Sequence, residues 1–388
     1  MQNLPYCIHF PKCGGCTTLD LPYGEQLVRK RTYLSGLFSR LNVEIPPIAA
    51  SPYPLHYRHK VQLPFGMSGK GRERKLILGC YGQDSHTVVD QKQCLVQDRD
   101  LTAAAHAIRR WAQKSGLDAY NERTGSGFLR HVILRKGCAT GEILIGLVTN
   151  GGRPAGSRNF AKSLMEEAQK GISANSRIVG VIQNINTRST NVVLGQQEEV
   201  WRGSSFLKEK LGEYRFNVGI STFFQVNPFA APLLYNLVLE QVPEGSAVLD
   251  VYCGVGTISL WVSQKASRVL GIEENPHSIR EAVAAARNNA VNNVKFLTGD
   301  AAILLADRAS GFDVAIVDPP RKGLEEKALE SLKNSPVSKI IYVSCNPESL
   351  LRDIKMLSPH FHPDSLTGVD MFPHTRHVEC VAGLIKNK

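Results

Sequence analysis

From about residue 247 to the C-terminus, runs that read as buried strands alternate with runs that read as helices, and nothing else in the chain constrains its fold as tightly. AVLDVYCGVG is a β-type run entering a glycine-bearing turn, and TISLWVSQ is the helix after it. RVLGIEE is a second strand. PHSIREAVAAARNNAV is a helix with Pro276 in its first turn, where a missing N–H is no loss. VKFLTGD, FDVAIVDPP and KIIYVSC are three more strands, with AAILLADR and LEEKALESLKN helical between them. Such alternation implies a mostly parallel, doubly wound α/β sheet. Two last β-like runs, around SLTGVDMF and HVECVAGLIK, read as an antiparallel edge pair.

Residues 51–220 carry a different pattern. HKVQLPF, KLILGCYG, HVILRK, EILIGLVTN, IVGVIQNIN and NVVLG are short β-type runs separated by Gly, Asn or basic residues, which predicts a strand-rich α+β domain. Residues 19–50, with YGEQLVRKRTYLSGLFSRL at their centre, are amphipathic and predict a helix able to pack on the C-terminal domain. Charge divides at the same place. Residues 1–222 hold 30 Lys and Arg against 17 Asp and Glu, whereas residues 223–388 hold 16 against 18. The net charge of +11 therefore belongs to the first part, as expected of a polyanion-binding module joined to a near-neutral domain. The expected domains are 1–222 and 223–388. No run resembles a membrane span or a signal peptide, so the expected location is the cytoplasm.

Asp250 ends the strand of VLDVYCGVG, and Gly254 and Gly256 open the loop before the next helix. A dinucleotide loop would read GxGxxG, but here Thr257, Ile258 and Ser259 follow Gly256. The shorter D-x-x-x-G-x-G form resembles the S-adenosylmethionine loop of class I methyltransferases. Glu273, ending the second strand, stands at the spacing expected for a ribose hydroxyl acceptor. Asp300 ends the third strand, where adenine would be reached, and Asp318 ends the fourth, near the methyl-donor centre. Four successive strand ends bearing Asp or Glu are far from a chance pattern.

The fifth strand ends YVSCNP, with Cys345 at the carboxyl end, where open α/β sheets bind ligands. Amino-group methylators usually follow DPP with an aromatic residue; this chain has Arg321. Carbon 5 of a pyrimidine is too weak a nucleophile to take a methyl group unaided. A thiolate added to carbon 6 makes the ring an enolate, and a base must later remove the carbon 5 proton so that the thiol can leave. Cys345 is the candidate thiol, and Glu379, in HVEC on a late strand, the candidate base.

The segments FFQVNP (Phe223–Pro228), DVYCGVG, VDPPRKG, YVSCNP and DMFPHTRHVE together resemble the uracil-5 methyltransferases of ribosomal and transfer RNA, in order and spacing over nearly the whole chain. The resemblance implies Cys345 as nucleophile and Glu379 as proton acceptor. It also implies that Gln225, Tyr252, Thr257, Glu273, Asp300 and Asp318 contact S-adenosylmethionine. Thr257 departs from the Asn frequent at its position. Arg321, His374 and His377 are expected to line the pocket without an assigned role.

CIHFPKCGGC has the pattern C-x5-C-x2-C, and nine cysteines in a chain of this kind argue for metal ligation or catalysis before disulfides. Spacing leans toward zinc over an iron–sulfur cluster, and leaves Cys94 or Cys80 as the fourth ligand, Cys80 reading as core. The resemblance resolves both points: the ribosomal RNA branch carries a 4Fe–4S cluster on four matching cysteines, here Cys7, Cys13, Cys16 and Cys94. The same branch implies 23S ribosomal RNA as substrate. Relatives that modify one of its sites carry an extra small N-terminal β-barrel, which is expected to be missing because this chain begins almost at the cysteines. The basic stretches His56 to Lys75, with Tyr57 and Phe65 interleaved, and FLRHVILRK, with Arg130, His131, Arg135 and Lys136, are expected to meet phosphates and stack on a flipped-out or unpaired base. Two rival readings are an RNA cytosine-5 methyltransferase, which usually places a second cysteine near the DPP-type motif, and a non-catalytic RNA-binding or ribosome assembly factor.

Overall fold

A computed structural model describes residues 4–69, 71–152 and 157–388. Lys70 and the side chain of Arg72, both in the basic run above, lie outside the described residues. The chain forms two compact units. The first holds the residues up to Asp20, Tyr53–Lys210 and Asn217–Thr222; the second holds Leu21–Pro52, Leu211–Phe216 and Phe223–Lys388.

Helix α1 (Tyr23–Leu37) is followed by β1 (Lys60–Ser68), β2 (Lys75–Tyr81), β3 (Val88–Asp90), α2 (Arg99–Lys114), β4 (Leu129–Lys136), β5 (Glu142–Thr149), α3 (Ser157–Gly171), β6 (Arg177–Ile185), β7 (Gln197–Gly203), β8 (Leu207–Leu211) and β9 (Tyr214–Val218). Next come α4 (Ala231–Gln241), β10 (Ala247–Val251), α5 (Thr257–Val262), β11 (Arg268–Glu273), α6 (Pro276–Asn288), β12 (Val294–Thr298) and α7 (Ala301–Arg308). The last elements are β13 (Val314–Val317), α8 (Glu326–Asn334), β14 (Lys339–Ser344), α9 (Pro347–Leu357), β15 (Phe361–Val369) and β16 (Glu379–Lys386). Among the described residues no helix is long and apolar enough to cross a membrane.

The first unit is built on a seven-stranded sheet in the order β3-β2-β1-β4-β5-β6-β7. Its pairs are antiparallel except β5 with β6, which α3 joins as a crossover. Leu101, Ile108 and Trp111 of α2 and Leu164 and Ala168 of α3 pack with Val132, Leu134 and Ile145 in one apolar core. One expected strand is displaced: NVVLG is irregular, and Gln197–Gly203 pairs with β6 instead. The cause is local. The Asn186 amide donates to the carbonyls of Val192 (2.7 Å) and Val193 (3.0 Å), taking the acceptors a ladder would need.

The second unit is the doubly wound sheet expected from the alternation, ordered β12-β11-β10-β13-β14-β16-β15. Its first five strands are parallel, and β16 runs antiparallel between β14 and β15. After α1, the chain sends Ile45 and Ile48 into the same core as Leu34 of α1 and Phe38, the residue that follows it. Strand order reverses between β10 and β13, which opens a crevice at the carboxyl ends of the parallel strands.

Candidate active site

At that carboxyl edge, the loop after β10 bends through three left-handed residues: Tyr252 (φ 67°), Gly254 (φ 55°) and Gly256 (φ 77°). A Cβ on Gly256 would stand 2.7 Å from Cζ of Phe296, so only glycine fits there. A Cβ on Gly254 would meet nothing within 4 Å, and its face of the loop is open. Glu273, at the end of β11, accepts from the Gly254 N–H (3.2 Å) and the Asn275 N–H (2.9 Å), tying the two adjacent loops together. Asp300 caps α7, accepting from Ala302 N–H (2.8 Å) and Ile303 N–H (3.1 Å). Thr257 Oγ1 lies 3.2 Å from the Tyr235 hydroxyl. Tyr252, Thr257, Glu273, Asp300 and Asp318 thus gather along one edge of one sheet. Gln225 is half-buried ahead of α4.

The break at Asn-Pro after Cys345 has a simple origin. Asn346 caps α9, its side chain accepting from the Glu348 N–H (3.3 Å), and Pro347 occupies the first helical position. Ser344 Oγ accepts from the Asn346 N–H (3.1 Å) and donates to the Asn346 carbonyl (2.9 Å), closing a tight turn around Cys345. The Asn346 amide donates to the Arg321 carbonyl at 3.0 Å, so this turn is fastened to the loop after β13. Cys345 therefore sits at the amino end of an 11-residue helix, where partial positive charge favours a thiolate.

Register brings the candidate base to it. Ser344 pairs with Cys380 at the end of the β14–β16 ladder, which brings the next residues, Cys345 and Glu379, close enough for Glu379 to act on the thiol. Val369 of β15 lies on the other side of Glu379. Glu379 is only 5% exposed, and burial, with help from Asp318, pushes its carboxyl pKa up to about 8 against the opposing pull of Arg321. Burial and the neighbouring Asp250 likewise raise Asp318 to about 7. The Cys345 thiol is raised by burial and by Glu379, and lowered by the charge and hydrogen bond of Arg321. Asp250, which sequence reasoning read only as a strand end, is fully buried; burial raises it to about 7 despite the Ser259 hydroxyl 2.5 Å away, and its Oδ1 has no partner. Asp250 acts on Asp318 and Asp318 on Glu379, while the charge of Arg321 lowers the pKa of both Cys345 and Glu379. A cationic ligand suits such a site.

In the first unit, Cys7, Cys13, Cys16, Cys80 and Cys94 line one cavity of about 40 Å³ together with His9 and Arg58. The four cysteines expected as ligands are thus brought together. Cys80, read from sequence as core, joins them through a hydrogen bond with Cys13 that lowers the Cys13 thiol pKa. Among the described residues no three Cys, His, Asp or Glu side chains are placed to hold a single metal ion.

The expected nucleic-acid surface needs correction. Tyr57 and Phe65 are buried, not free to stack on a base. Arg130 is buried and donates to the carbonyls of Asn186 (2.7 Å) and Arg188 (2.8 Å). Arg135 is buried against the Thr222 carbonyl, and Lys136 lies 2.9 Å from both Asp98 and Asp100. Strand β4 is buried on both faces, so its basic side chains are taken up by contacts within the unit. Tyr6 and Tyr53 are the large aromatics this unit exposes among its described residues, and Phe223 of the FFQVNP segment is exposed in the second unit.

Comparison with known proteins agrees with this geometry. The chain matches the tRNA (uracil-5-)-methyltransferase family over residues 158–387. A Leptospira interrogans protein named an uncharacterized RNA methyltransferase is 45% identical over 385 residues, 98% of each chain. A Clostridium acetobutylicum protein of the same description is 36% identical over 395 residues, covering 98% of this chain and 83% of its own. Among solved structures, the Pyrococcus abyssi tRNA (uracil-54, C5)-methyltransferase in complex with S-adenosyl-L-homocysteine has a TM-score of 0.77 at 29% identity, over 97% of this chain and 86% of that one. With a family match over more than half of its length and a relative that runs nearly end to end, the chain belongs to the tRNA (uracil-5-)-methyltransferase family.

Proposed function

We propose that the protein methylates carbon 5 of a uridine in 23S ribosomal RNA, with S-adenosylmethionine as methyl donor and Cys345 as covalent nucleophile. The observation that carries the reading is that Glu379, Asp318 and Arg321 all act on the Cys345 thiol from the ends of their strands. The Cys345 thiolate adds to carbon 6, and the carbon 5–carbon 6 electron pair moves into the enolate. S-Adenosylmethionine supplies the methyl cation equivalent that carbon 5 takes. Glu379 then removes the carbon 5 proton; those electrons reform the ring double bond as the carbon–sulfur bond breaks, and the thiolate returns. Gln225, Tyr252, Thr257, Glu273, Asp300 and Asp318 would hold the donor along the strand ends.

The first unit would bind RNA and carry a 4Fe–4S cluster on Cys7, Cys13, Cys16 and Cys94. A single zinc ion holds its thiolates about 3.8 Å apart, given a Zn–S bond of about 2.3 Å. What supports a group held jointly by these thiols is the single cavity that they line. Such a group would fasten the N-terminal segment to the strands near Cys80 and Cys94, and no step of methyl transfer passes through it. A second reading, a transfer RNA target, is favoured by the likeness to the Pyrococcus abyssi enzyme.

Incubation with 5-fluorouridine RNA tests the chemistry, because fluorine at carbon 5 blocks proton removal and freezes the adduct. The expected result is a denaturation-resistant protein–RNA complex that Cys345→Ala abolishes. An adduct with 5-fluorocytidine RNA alone would move the substrate to cytosine; none with either would leave an RNA-binding protein. Mapping 5-methyluridine in 23S and transfer RNA from a deletion strain separates the two targets.

A further inference from the structure

We infer that α1 is a positioning element of the catalytic site: Gln26 and Lys30 fix the loop that presents Glu379, and so set the rate at which the carbon 5 proton is removed. The inference rests on the covalent reading above. Gln26, Lys30 and Leu34 are the buried residues of α1 and share one stripe at i, i+4, i+8. A helix that merely covered a core would make all three apolar. Two are polar, and both point at the segment between β15 and β16.

Lys30 Nζ lies 2.7 Å from Asp370 Oδ1 and donates to the Phe372 carbonyl at 3.3 Å, with Lys30 4% and Asp370 0% exposed. Gln26 Oε1 accepts from the His374 N–H at 2.9 Å, which turns its Nε2 toward His374 Nδ1, 3.1 Å away. A backbone N–H can only donate, so the amide sense is set, Nδ1 must accept, and a neutral His374 carries its proton on Nε2. His374 is held in the left-handed region (φ 64°), which a non-glycine residue adopts at a cost. Asn227 Nδ2 also donates to the Met371 carbonyl at 3.1 Å. Asp370, Met371, Phe372 and His374 are thereby fastened just before β16, which begins with Glu379. In the same segment His377 Nδ1 lies 3.2 Å from Arg321 Nη2. A buried ion pair is a poor source of stability compared with an apolar pair of equal size, so stability alone does not account for it.

The test uses the full chain in two variants, Lys30→Met/Asp370→Leu, which removes both charges together, and Gln26→Leu, which leaves the ion pair intact. Single-turnover reactions with uridine RNA follow labelled methyl transfer and release of tritium from carbon 5 in parallel, alongside melting temperature. The double variant is expected to melt within a few degrees of wild type and to transfer methyl nearly as fast. Tritium release should slow about tenfold or more, with a denaturation-resistant adduct accumulating on ordinary RNA. Gln26→Leu should show the same split to a smaller degree. Tritium release at the wild-type rate, or equal slowing of both steps, overturns the assignment. Absence of any wild-type adduct with 5-fluorouridine RNA would instead remove the covalent reading on which it rests.

Discussion

Arg321 Nη2 lies 3.2 Å from His377 Nδ1, joining the loop that follows β13 to the segment that leads into β16. The Arg321 side chain also hydrogen-bonds Cys345, and its carbonyl accepts from the Asn346 amide at 3.0 Å. Three sequence motifs that are far apart in the chain, DPPRKG, YVSCNP and HTRHVE, are therefore in contact through one guanidinium. Its charge opposes the two carboxylates that would otherwise keep the Cys345 thiol protonated.

Replacing Arg321 with Met should therefore slow adduct formation with 5-fluorouridine RNA by about tenfold at pH 7.5, since the thiol loses the charge and hydrogen bond that favour its thiolate. Raising the pH should recover most of the loss. Titration of S-adenosyl-L-homocysteine should give unchanged affinity. A loss of rate that persists equally at pH 9.5 would assign Arg321 to RNA binding instead.

Glu379 must be ionised to accept the carbon 5 proton, yet burial first, and Asp318 second, hold its pKa at about 8. Tritium release should then climb with pH up to about 8 at close to tenfold per unit, before any further rise from Cys345. Glu379→Gln should still methylate once and remain covalently attached to RNA. A flat profile between pH 6 and 8 would remove Glu379 from this step.

The doubly wound sheet was legible because each strand of a parallel sheet is a continuous apolar run between helices, and the acids at the strand ends stood out against them. The antiparallel pairing of β15 and β16 was also legible, since the two final runs lack a helix between them, but not that β16 would lie inside, next to β14. Helix α2 was harder to see: the run from Arg99 to Lys114 is rich in Ala, and its Asp98 cap is unremarkable without the Asp100 and Leu101 N–H groups it accepts from. Cys80 packs against the core, as its apolar run suggests, but sequence could not tell that its thiol also lines the cysteine cavity. Basic residues on β4 misled for a related reason. Adjacent basic residues point to opposite faces of a strand, and sequence does not tell that both faces of β4 are covered. The α1 clamp was invisible because its partners are more than 300 residues away.

Gly256→Ala tests the loop that would carry the donor. The substitution forces a side chain into a backbone with φ 77° and places Cβ 2.7 Å from Phe296. A non-glycine residue in this region costs about 1 kcal/mol, and the contact adds to that. Affinity for S-adenosyl-L-homocysteine, measured by calorimetry, should fall by about tenfold or more. Gly254→Ala meets nothing within 4 Å on the protein side and should reduce affinity only where the ligand itself is approached.

Cys94→Ser and Cys80→Ser separate the ligand set from its surroundings. After anaerobic reconstitution, Cys94→Ser should lose most of the bound iron and sulfide, together with the visible absorbance of a cluster. Cys80→Ser should retain both, because its role beside Cys13 is a hydrogen bond that a hydroxyl can also make. The opposite pattern would exchange the two residues as ligands. Zinc without sulfide in the wild-type protein would replace the cluster by a single-ion site.

The buried carboxylates also make a prediction about ligand charge. Asp250 and Asp318 are raised to about 7 and Glu379 to about 8, in each case chiefly by burial. A carboxyl group whose folded pKa lies above its unfolded value keeps a proton that the unfolded chain has already released. Its contribution to stability is therefore present at low pH and declines as pH rises from the ordinary carboxylate range through 7 to 8. Without ligand, the melting temperature should fall across this interval. A sulfonium brings one positive charge to the ionised site, whereas the thioether of S-adenosyl-L-homocysteine brings none. Stabilisation by S-adenosylmethionine should therefore exceed that by S-adenosyl-L-homocysteine by a margin that widens between pH 6 and pH 8.5. Asp318→Asn should narrow the margin, because it removes the acid at the end of β13 while leaving the loop after β10 in place. Thermal-shift curves for both ligands at four pH values decide the matter, and a margin that stays constant with pH would show that these carboxylates do not face the methyl-bearing sulfur.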